Sequence, residues 1–304
     1  MLKGVKNMGV NRRTFLKLSG LVAAGAAAGG MAGPAAAGGS VPEGIPGVEH
    51  KAMLNDVSRC IGCLSCAVAC KKANKLPGVF EYSPATGGET WTTVKFLEQD
   101  SEAPKKRINL KVQCMHCGQA SCAAVCPTGA AHKRNDGITV IDQNVCIGCK
   151  YCVMACPFNV PGYSEETGTV RKCNLCESRL GEGNIPACAE ACPAGAVEFG
   201  NYEELLAKAG ARVDYLKANG NPDAVIYGQK ELNGLKTLYV LPAAAKDSGL
   251  PGDPRMATGD SLTKWTAGLL TAGLLVTIPL RSVFNDIEGQ DNTTDREKGG
   301  NKDD

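Results

Sequence analysis

Large side chains are scarce in this sequence. Only 5% of its 304 residues are aromatic, while glycine alone contributes 37. That length suits one large domain or two small ones, but so few bulky groups cannot fill a conventional core, and something else has to stand at the centre. Histidine is nearly missing. His50, His116 and His132 are all there are, too few for a hydrolase built on a histidine-held metal. Neither sign of charge is in surplus: Lys plus Arg is 33 against 31 for Asp plus Glu. The basic face that a nucleic acid requires is therefore lacking, and no nucleic-acid partner is expected. There is no Walker loop, no GxGxxG between a strand and a helix, and no nucleophile elbow. These absences remove most ways of making or breaking substrate bonds.

What the chain has is sulfur. All sixteen cysteines fall in four runs: "CIGCLSCAVAC" (60–70), "CMHCGQASCAAVC" (114–126), "CIGCKYCVMAC" (146–156) and "CNLCESRLGEGNIPACAEAC" (173–192). Three chemistries compete for them. Disulfides persist outside the cytosol, but cysteines at i and i+3 on a tight turn rarely meet the bridge geometry. At 16 in 304 residues the content also falls below the ~8–10% of a disulfide scaffold. Zinc sites of four cysteines join two Cys-x2-Cys pairs from separate hairpins. The fourth run could be read that way. The first and third cannot, because each puts three thiolates within seven residues. A mixed His/Cys centre needs histidine pairs, so more than one is excluded.

Iron–sulfur chemistry fits best. Cys-x2-Cys-x2-Cys-x3-Cys-Pro is the bacterial ferredoxin run, whose last cysteine serves the other cluster of a pair. The third run carries it whole, ending Cys156-Pro157; the second ends Cys126-Pro127 and the fourth Cys192-Pro193. In the first, Lys71 follows Cys70. The second and fourth runs have longer loops between ligands but lose none. Sixteen thiolates suffice for four cubane [4Fe–4S] clusters, and four in a row make a wire. Gly62 and Gly148 let backbone N–H groups approach sulfur. Lys71, Lys72, Lys133, Arg134, Lys150, Arg171, Lys172 and Arg179 flank the runs. They either offset the negative charge of thiolate-bound clusters or are ordinary solvated residues, and the sequence leaves both open.

The ends suggest export and anchoring. Arg12-Arg13 precedes Phe15-Leu16-Lys17, an Ala/Gly stretch and Ala35-Ala36-Ala37, a pattern resembling a twin-arginine signal cleaved near Ala37. Residues 38–58 are Gly/Pro-rich and read as linker, and the cysteine region runs from about 51 to 200. Short strands are expected in 90–99, 108–113, 137–142, 195–200, "DAVIYG" and "KTLYVLP". A surface helix is expected over 201–220, with Asn201 as N-cap and Gly220 past its end. Trp265 to Leu280 holds no charge, and counting on to Phe284 gives a stretch of about the ~20 residues that a membrane span requires. A single anchor over 262–284 is expected, followed by a polar tail (285–304). The domain plan is signal 1–37, linker 38–50, cluster domain 51–200, extension 201–260, anchor and tail.

The stretch Cys60 to Gly200, above all "CIGCKYCVMACPFNVPGY", "KCNLC" and "PACAEACPAGAVEFG", resembles the four-cluster electron-transfer subunits of membrane-bound oxidoreductases. These include formate dehydrogenase, quinone-linked [NiFe] hydrogenase, dimethyl sulfoxide reductase and nitrate reductase. "TLYVLPAAAKDSGLP" and the C-terminal apolar helix resemble the formate dehydrogenase β subunit; the leader resembles the hydrogenase partner. The resemblance implies an α+β fold of two ferredoxin-like halves with inserted short strands, plus one C-terminal transmembrane helix. It implies four ligand sets: Cys60, Cys63, Cys66 and Cys192; Cys70, Cys173, Cys176 and Cys188; Cys114, Cys117, Cys122 and Cys156; and Cys126, Cys146, Cys149 and Cys152. Cys149 stands where nitrate reductase lacks a cysteine, so four cubanes are expected. It further implies a molybdenum, tungsten or nickel–iron catalytic partner nearest a cluster of the pair held by runs one and four. Nearest a cluster of the pair held by runs two and three it implies a cytochrome b or quinone-binding subunit in the inner membrane, with the cluster domain on the periplasmic face. No catalytic residue is expected in this chain. A free-standing multi-cluster ferredoxin and a zinc-binding adaptor are the alternatives.

Overall fold

The computed structural model describes residues 44–98, 107–258 and 265–278. The leader, the cleavage site near Ala37 and the polar tail lie outside the described residues. In chain order the elements are β1 (Lys51–Asp56), α1 (Ser65–Ala73), β2 (Thr93–Glu98), β3 (Arg107–Val112), α2 (Ser121–Ala124), β4 (Ala131–Lys133), β5 (Thr139–Ile141), α3 (Tyr151–Ala155), β6 (Gly162–Ser164), β7 (Thr169–Arg171), α4 (Glu177–Gly181), α5 (Ala187–Glu190), β8 (Val197–Asn201), α6 (Tyr202–Ala218), β9 (Val225–Tyr227) and β10 (Thr237–Leu241).

One sheet of four strands, in the order β8-β1-β10-β9, ties the first and last parts of the described chain together. β1 runs parallel to β10, with Met53 opposite Thr237, and antiparallel to β8. The segment 38–58, expected to be linker, thus contains a central strand. "KAMLND" shows no clean alternation because both faces are covered: five of its six residues are buried.

Side-chain alternation along β10 divides two cores. Leu238 and Val240 turn towards α6, where Leu205, Ala209, Val213 and Leu216 form its apolar stripe with Ala52 and Leu54. Tyr239 and Leu241 turn the other way, onto Ile108, Leu110 and Val112 of β3. The Asn201 side chain caps α6, accepting from the N–H groups of Glu203 and Glu204 at 2.9 and 3.4 Å. Gly220, in the left-handed region at φ 86°, follows the helix. β2–β3, β4–β5 and β6–β7 are two-stranded antiparallel ribbons set between the cysteine runs.

Of the expected anchor, residues 265–278 are helical; residues 262–264 and 279–284 lie outside the described residues. That described length spans about 21 Å at ~1.5 Å per residue. Among the described residues, no helix is long and apolar enough to cross a membrane.

Candidate metal centres

The four runs fold as two alternating designs. Runs one and three are matched turn for turn. Gly62 and Gly148 take φ of 73° and 68°, and Leu64 and Lys150, which open α1 and α3, take 64° and 65°. A β-carbon on Gly62 would stand 2.7 Å from the Phe96 ring, and one on Gly148 would run into the Gly168 carbonyl. Both the dihedral and the close approach therefore demand glycine. Runs two and four end alike, in Cys126-Pro127-Thr128-Gly129-Ala130 and Cys192-Pro193-Ala194-Gly195-Ala196. Pro127 and Pro193 cannot continue the preceding helical turn. After the turn, the Ala131 and Ala196 N–H groups donate back to Cys126 Sγ and Cys192 Sγ, each at 3.3 Å. Val170 does the same to Cys146 at 3.4 Å, and Leu175 to Cys173 at 3.4 Å. At Cys126, where burial acts to raise the thiol, the bond from Ala131 helps bring it below its ordinary value.

The sixteen thiols are all free of disulfides, and the tertiary structure gathers them in fours. Cys60, Cys63, Cys66 and Cys192 line one cavity. Cys126, Cys146, Cys149 and Cys152 line another. Cys70 is held well above the ordinary thiol value by burial and then by the charges of Cys173, Cys188 and Cys176. Asn74 Nδ2 donates towards two sulfurs of that group, Cys70 at 3.5 Å and Cys176 at 3.8 Å. Cys117 is raised by burial and then by Cys114, Cys156 and Cys122. Each group draws three cysteines from one run and one from another.

Cross-talk between groups gives their order. Burial pushes Cys66 of the first set up to about 11, and Cys188 of the second set adds to the rise. Cys173 of the second set is pushed to about 12 by burial and next by Cys114 of the third. Burial likewise pushes Cys122 of the third set to about 12, with Cys152 of the fourth contributing. The first set therefore neighbours the second, the second the third, and the third the fourth. The second set is wholly buried, whereas Cys63 in the first and Cys149 in the fourth are exposed. Burial is the first cause of each of these upward shifts, and the neighbouring cysteines add to it.

The shape of the sites suits a cluster. Among the described residues, no three ligating side chains converge as they would on one metal ion. The first and fourth groups surround cavities instead, as a cube-shaped group with a thiolate at each of four corners requires.

Of the eight cations beside the runs, the structure separates two kinds. Arg134 pairs with Asp136 and Glu177, and Arg179 pairs with Glu190 at 2.7 Å. Lys71 donates to the Pro77 and Glu89 carbonyls, and Lys133 to that of Gly118. Lys150 lies over the Tyr163 ring and Arg171 over Trp91. Lys72 is exposed. Lys172 differs: it is only 4% exposed. Burial acts to lower its pKa, but Cys114, Cys122 and Cys173 carry it above the ordinary lysine value. Lys111 behaves in the same way among Cys188, Cys66, Cys173 and Cys70. Sequence reasoning missed Lys111 and Asn74. Lys111 stands in a polar stripe with Asn109 and Gln113 on β3 and the residue after it, and a stripe of that kind normally faces water.

Two family models match the chain, each described as a 4Fe-4S dicluster domain, over residues 59–130 and 107–202. Among curated relatives, the Escherichia coli K12 "Formate dehydrogenase, nitrate-inducible, iron-sulfur subunit" is 37% identical over 238 residues, covering 74% of this chain and 81% of the relative. The Haemophilus influenzae "Formate dehydrogenase iron-sulfur subunit" is 37% identical over 232 residues, 71% of this chain and 74% of the relative. An Escherichia coli K12 protein named "Probable anaerobic dimethyl sulfoxide reductase chain YnfG" is 43% identical over 164 residues, 51% of this chain and 75% of its own length. Two dicluster domains and sixteen cysteines give this chain four [4Fe–4S] clusters.

Proposed function

This chain belongs to the family of iron–sulfur subunits that includes those of formate dehydrogenase, and on that premise we propose that it is the electron-transfer subunit of a membrane-associated oxidoreductase. We assign the ligands as Cys60, Cys63, Cys66 and Cys192 for the first cluster, and Cys70, Cys173, Cys176 and Cys188 for the second. Cys114, Cys117, Cys122 and Cys156 hold the third, and Cys126, Cys146, Cys149 and Cys152 the fourth. Bound there, each cluster supplies a station for one electron, and four in series supply a wire. The protein's own residues supply order, shielding and access. Interleaving a cysteine from one run into the group of another keeps the first group beside the second and the third beside the fourth. Burial of the second set keeps water from the middle of the path.

The succession of neighbouring sulfur groups, with an exposed cysteine in the first and in the fourth, is what supports this reading. At one end Cys63 is exposed beside Ile61, itself 65% exposed; at the other Cys149 is exposed beside Ile147, also 65% exposed. A molybdenum- or tungsten-dependent catalytic subunit of the formate dehydrogenase type would dock at the first end. A cytochrome b or quinone-binding membrane subunit would dock at the fourth. The 43% identity to the dimethyl sulfoxide reductase chain favours, as a second reading, a reductase partner and the opposite direction of flow. Export by the twin-arginine route, residence on the periplasmic face and anchoring through 262–284 complete the proposal. Arg12-Arg13 supports the first of these. The exposed, uncharged surface of 265–278, with Leu269, Leu270, Leu275 and Ile278 each over 60% exposed, supports the last.

Anaerobic purification from detergent-solubilised membranes, with metal analysis and mass spectrometry of co-purifying chains, tests the reading. A stable large subunit carrying molybdenum or tungsten is expected. A nickel–iron subunit would shift the assignment to a hydrogenase-type complex. A chain emerging alone with its iron would make it a free-standing carrier, and zinc in place of iron would leave only an adaptor. Deleting 262–304 should release the cluster domain from membranes. Retention after a high-salt wash, with no partner present, would refute the anchor.

A further inference from the structure

Two ammonium groups lie inside the relay without the partners that buried charges need. Lys111 is 3% exposed and lines the cavity enclosed by Cys60, Cys63, Cys66 and Cys192. Its Nζ meets Gln113 Oε1, and Met53 Sδ at 3.9 Å. Lys172 is 4% exposed, and its Nζ donates to the Thr139 carbonyl and to that of Cys173 at 3.2 Å. None of these partners is a carboxylate, and Lys172 also hydrogen-bonds the Cys114 side chain. Among the described residues, neither lysine forms an ion pair with a carboxylate, whereas buried Arg134 has Asp136 and Glu177. An ammonium taken out of water without a counter-charge is costly, and such groups are normally paired or become neutral. The negative charge within reach is that of the sulfur groups. Lys111 interacts with Cys66 of the first set and with Cys70, Cys173 and Cys188 of the second. Lys172 interacts with Cys173 of the second set and with Cys114 and Cys122 of the third.

We infer that Lys111 and Lys172 are fixed counter-charges built into the relay. Lys111 is shared between the first and second clusters and Lys172 between the second and third, and each raises the reduction potential of the two clusters it separates. The inference rests on the ligand assignment proposed above. The sign follows from Coulomb's law: reduction adds a negative charge, and a cation held nearby in a poorly solvated interior favours the more negative form. The second cluster, buried and flanked by both lysines, would otherwise be the hardest to reduce, because an added charge there is least relieved by water. The two ammoniums thus lift a barrier in the middle of the wire. The fourth set has no such device. Lys150 is the cation lining its cavity, and that residue is exposed, with its ammonium over the Tyr163 ring at 3.9 Å.

The test is an EPR-monitored redox titration of the whole complex, with iron analysis, for the wild type and for Lys172→Met, Lys172→Gln, Lys172→Arg and the same three changes at Lys111. In the neutral Lys172 variants the reduced-to-oxidised ratio of the second and third clusters at the old midpoint should fall about tenfold or more, about 59 mV for one electron. The first and fourth clusters should stay in place. Neutral Lys111 variants should lower the first and second instead, and the arginine variants should keep wild-type values. Loss of the flanking clusters in both neutral variants but not in the arginine one would show the same need for charge at the stage of assembly. Unchanged midpoints, an equal shift of all four clusters, or cluster loss in the arginine variants as well would overturn the inference. Fewer than four clusters in the wild type would instead mean that the ligand assignment had failed.

Discussion

Gly148→Ala isolates how tightly a cluster loop is packed. Gly148 sits in the turn between Cys146 and Cys149 at φ 68°, and an added β-carbon would strike the carbonyl oxygen of Gly168, in the turn joining β6 to β7. Two costs follow. Holding alanine in the left-handed region costs about 1–2 kcal/mol. Forcing a methyl group against backbone that cannot rotate away adds about 1–3 kcal/mol. Gly78 provides the control. Its φ is 73°, and nothing lies within 4 Å of the position a β-carbon would take. Gly78→Ala therefore carries only the first cost, and the difference between the variants measures the second. At about 2–4 °C per kcal/mol for a domain of this size, Gly148→Ala should melt about 2–12 °C below Gly78→Ala. The assay is thermal loss of cluster absorbance under anaerobic conditions at one fixed scan rate, because unfolding of a cluster protein is not reversible. The added strain should also fall on one site, so the fourth cluster should be lost first. Equal melting of the two variants, or even loss of all four clusters, would refute the argument that β6–β7 braces this loop.

Cys66→Ser should remove or alter the first cluster alone, reducing bound iron by about a quarter if each cubane is held independently; disappearance of every cluster signal from folded protein would sink the assigned pairing. Asn201→Ala removes the cap of α6 and should cost about 1 kcal/mol, read as a lower melting temperature that Asn201→Asp largely restores. Asp136 is buried, which acts to raise its carboxyl pKa, but the Arg134 guanidinium and the N–H groups of Ile45 and Ile138 bring the net value below the ordinary 3.8. Its contribution is therefore full above about pH 4 and is lost as pH falls through the lower folded value. Asp136→Asn should cost about 1–3 kcal/mol at pH 7, read as earlier thermal loss of cluster absorbance from the cluster-loaded protein, and the gap between variant and wild type should narrow as pH falls from about 4 towards the lowered carboxyl value.

The sequence by itself determined the chemistry. Three cysteines at i, i+3 and i+6 can converge on one cubane through a single turn, so the count and kind of centres are local properties that spacing reveals. The same holds for α6, whose cap at Asn201 and apolar stripe of Leu205, Ala209, Val213 and Leu216 lie within one element. Only the tertiary structure decided what depends on closure between distant segments. It put Cys192 beside Cys60, Cys63 and Cys66, and it drew Lys51–Asp56 into the middle of a sheet beside β10. It also set Cys66 near Cys188 and Cys173 near Cys114, which come from different runs. Burial was the least legible property. Lys111 stands in a polar stripe that looks the same whether it faces water or a wall of thiolates, and Lys172, beside the fourth run, leaves counter-charge and solvated residue both open. Their position within the relay arises from how the ribbons and sheet close over the sulfur groups, and no local pattern encodes that closure.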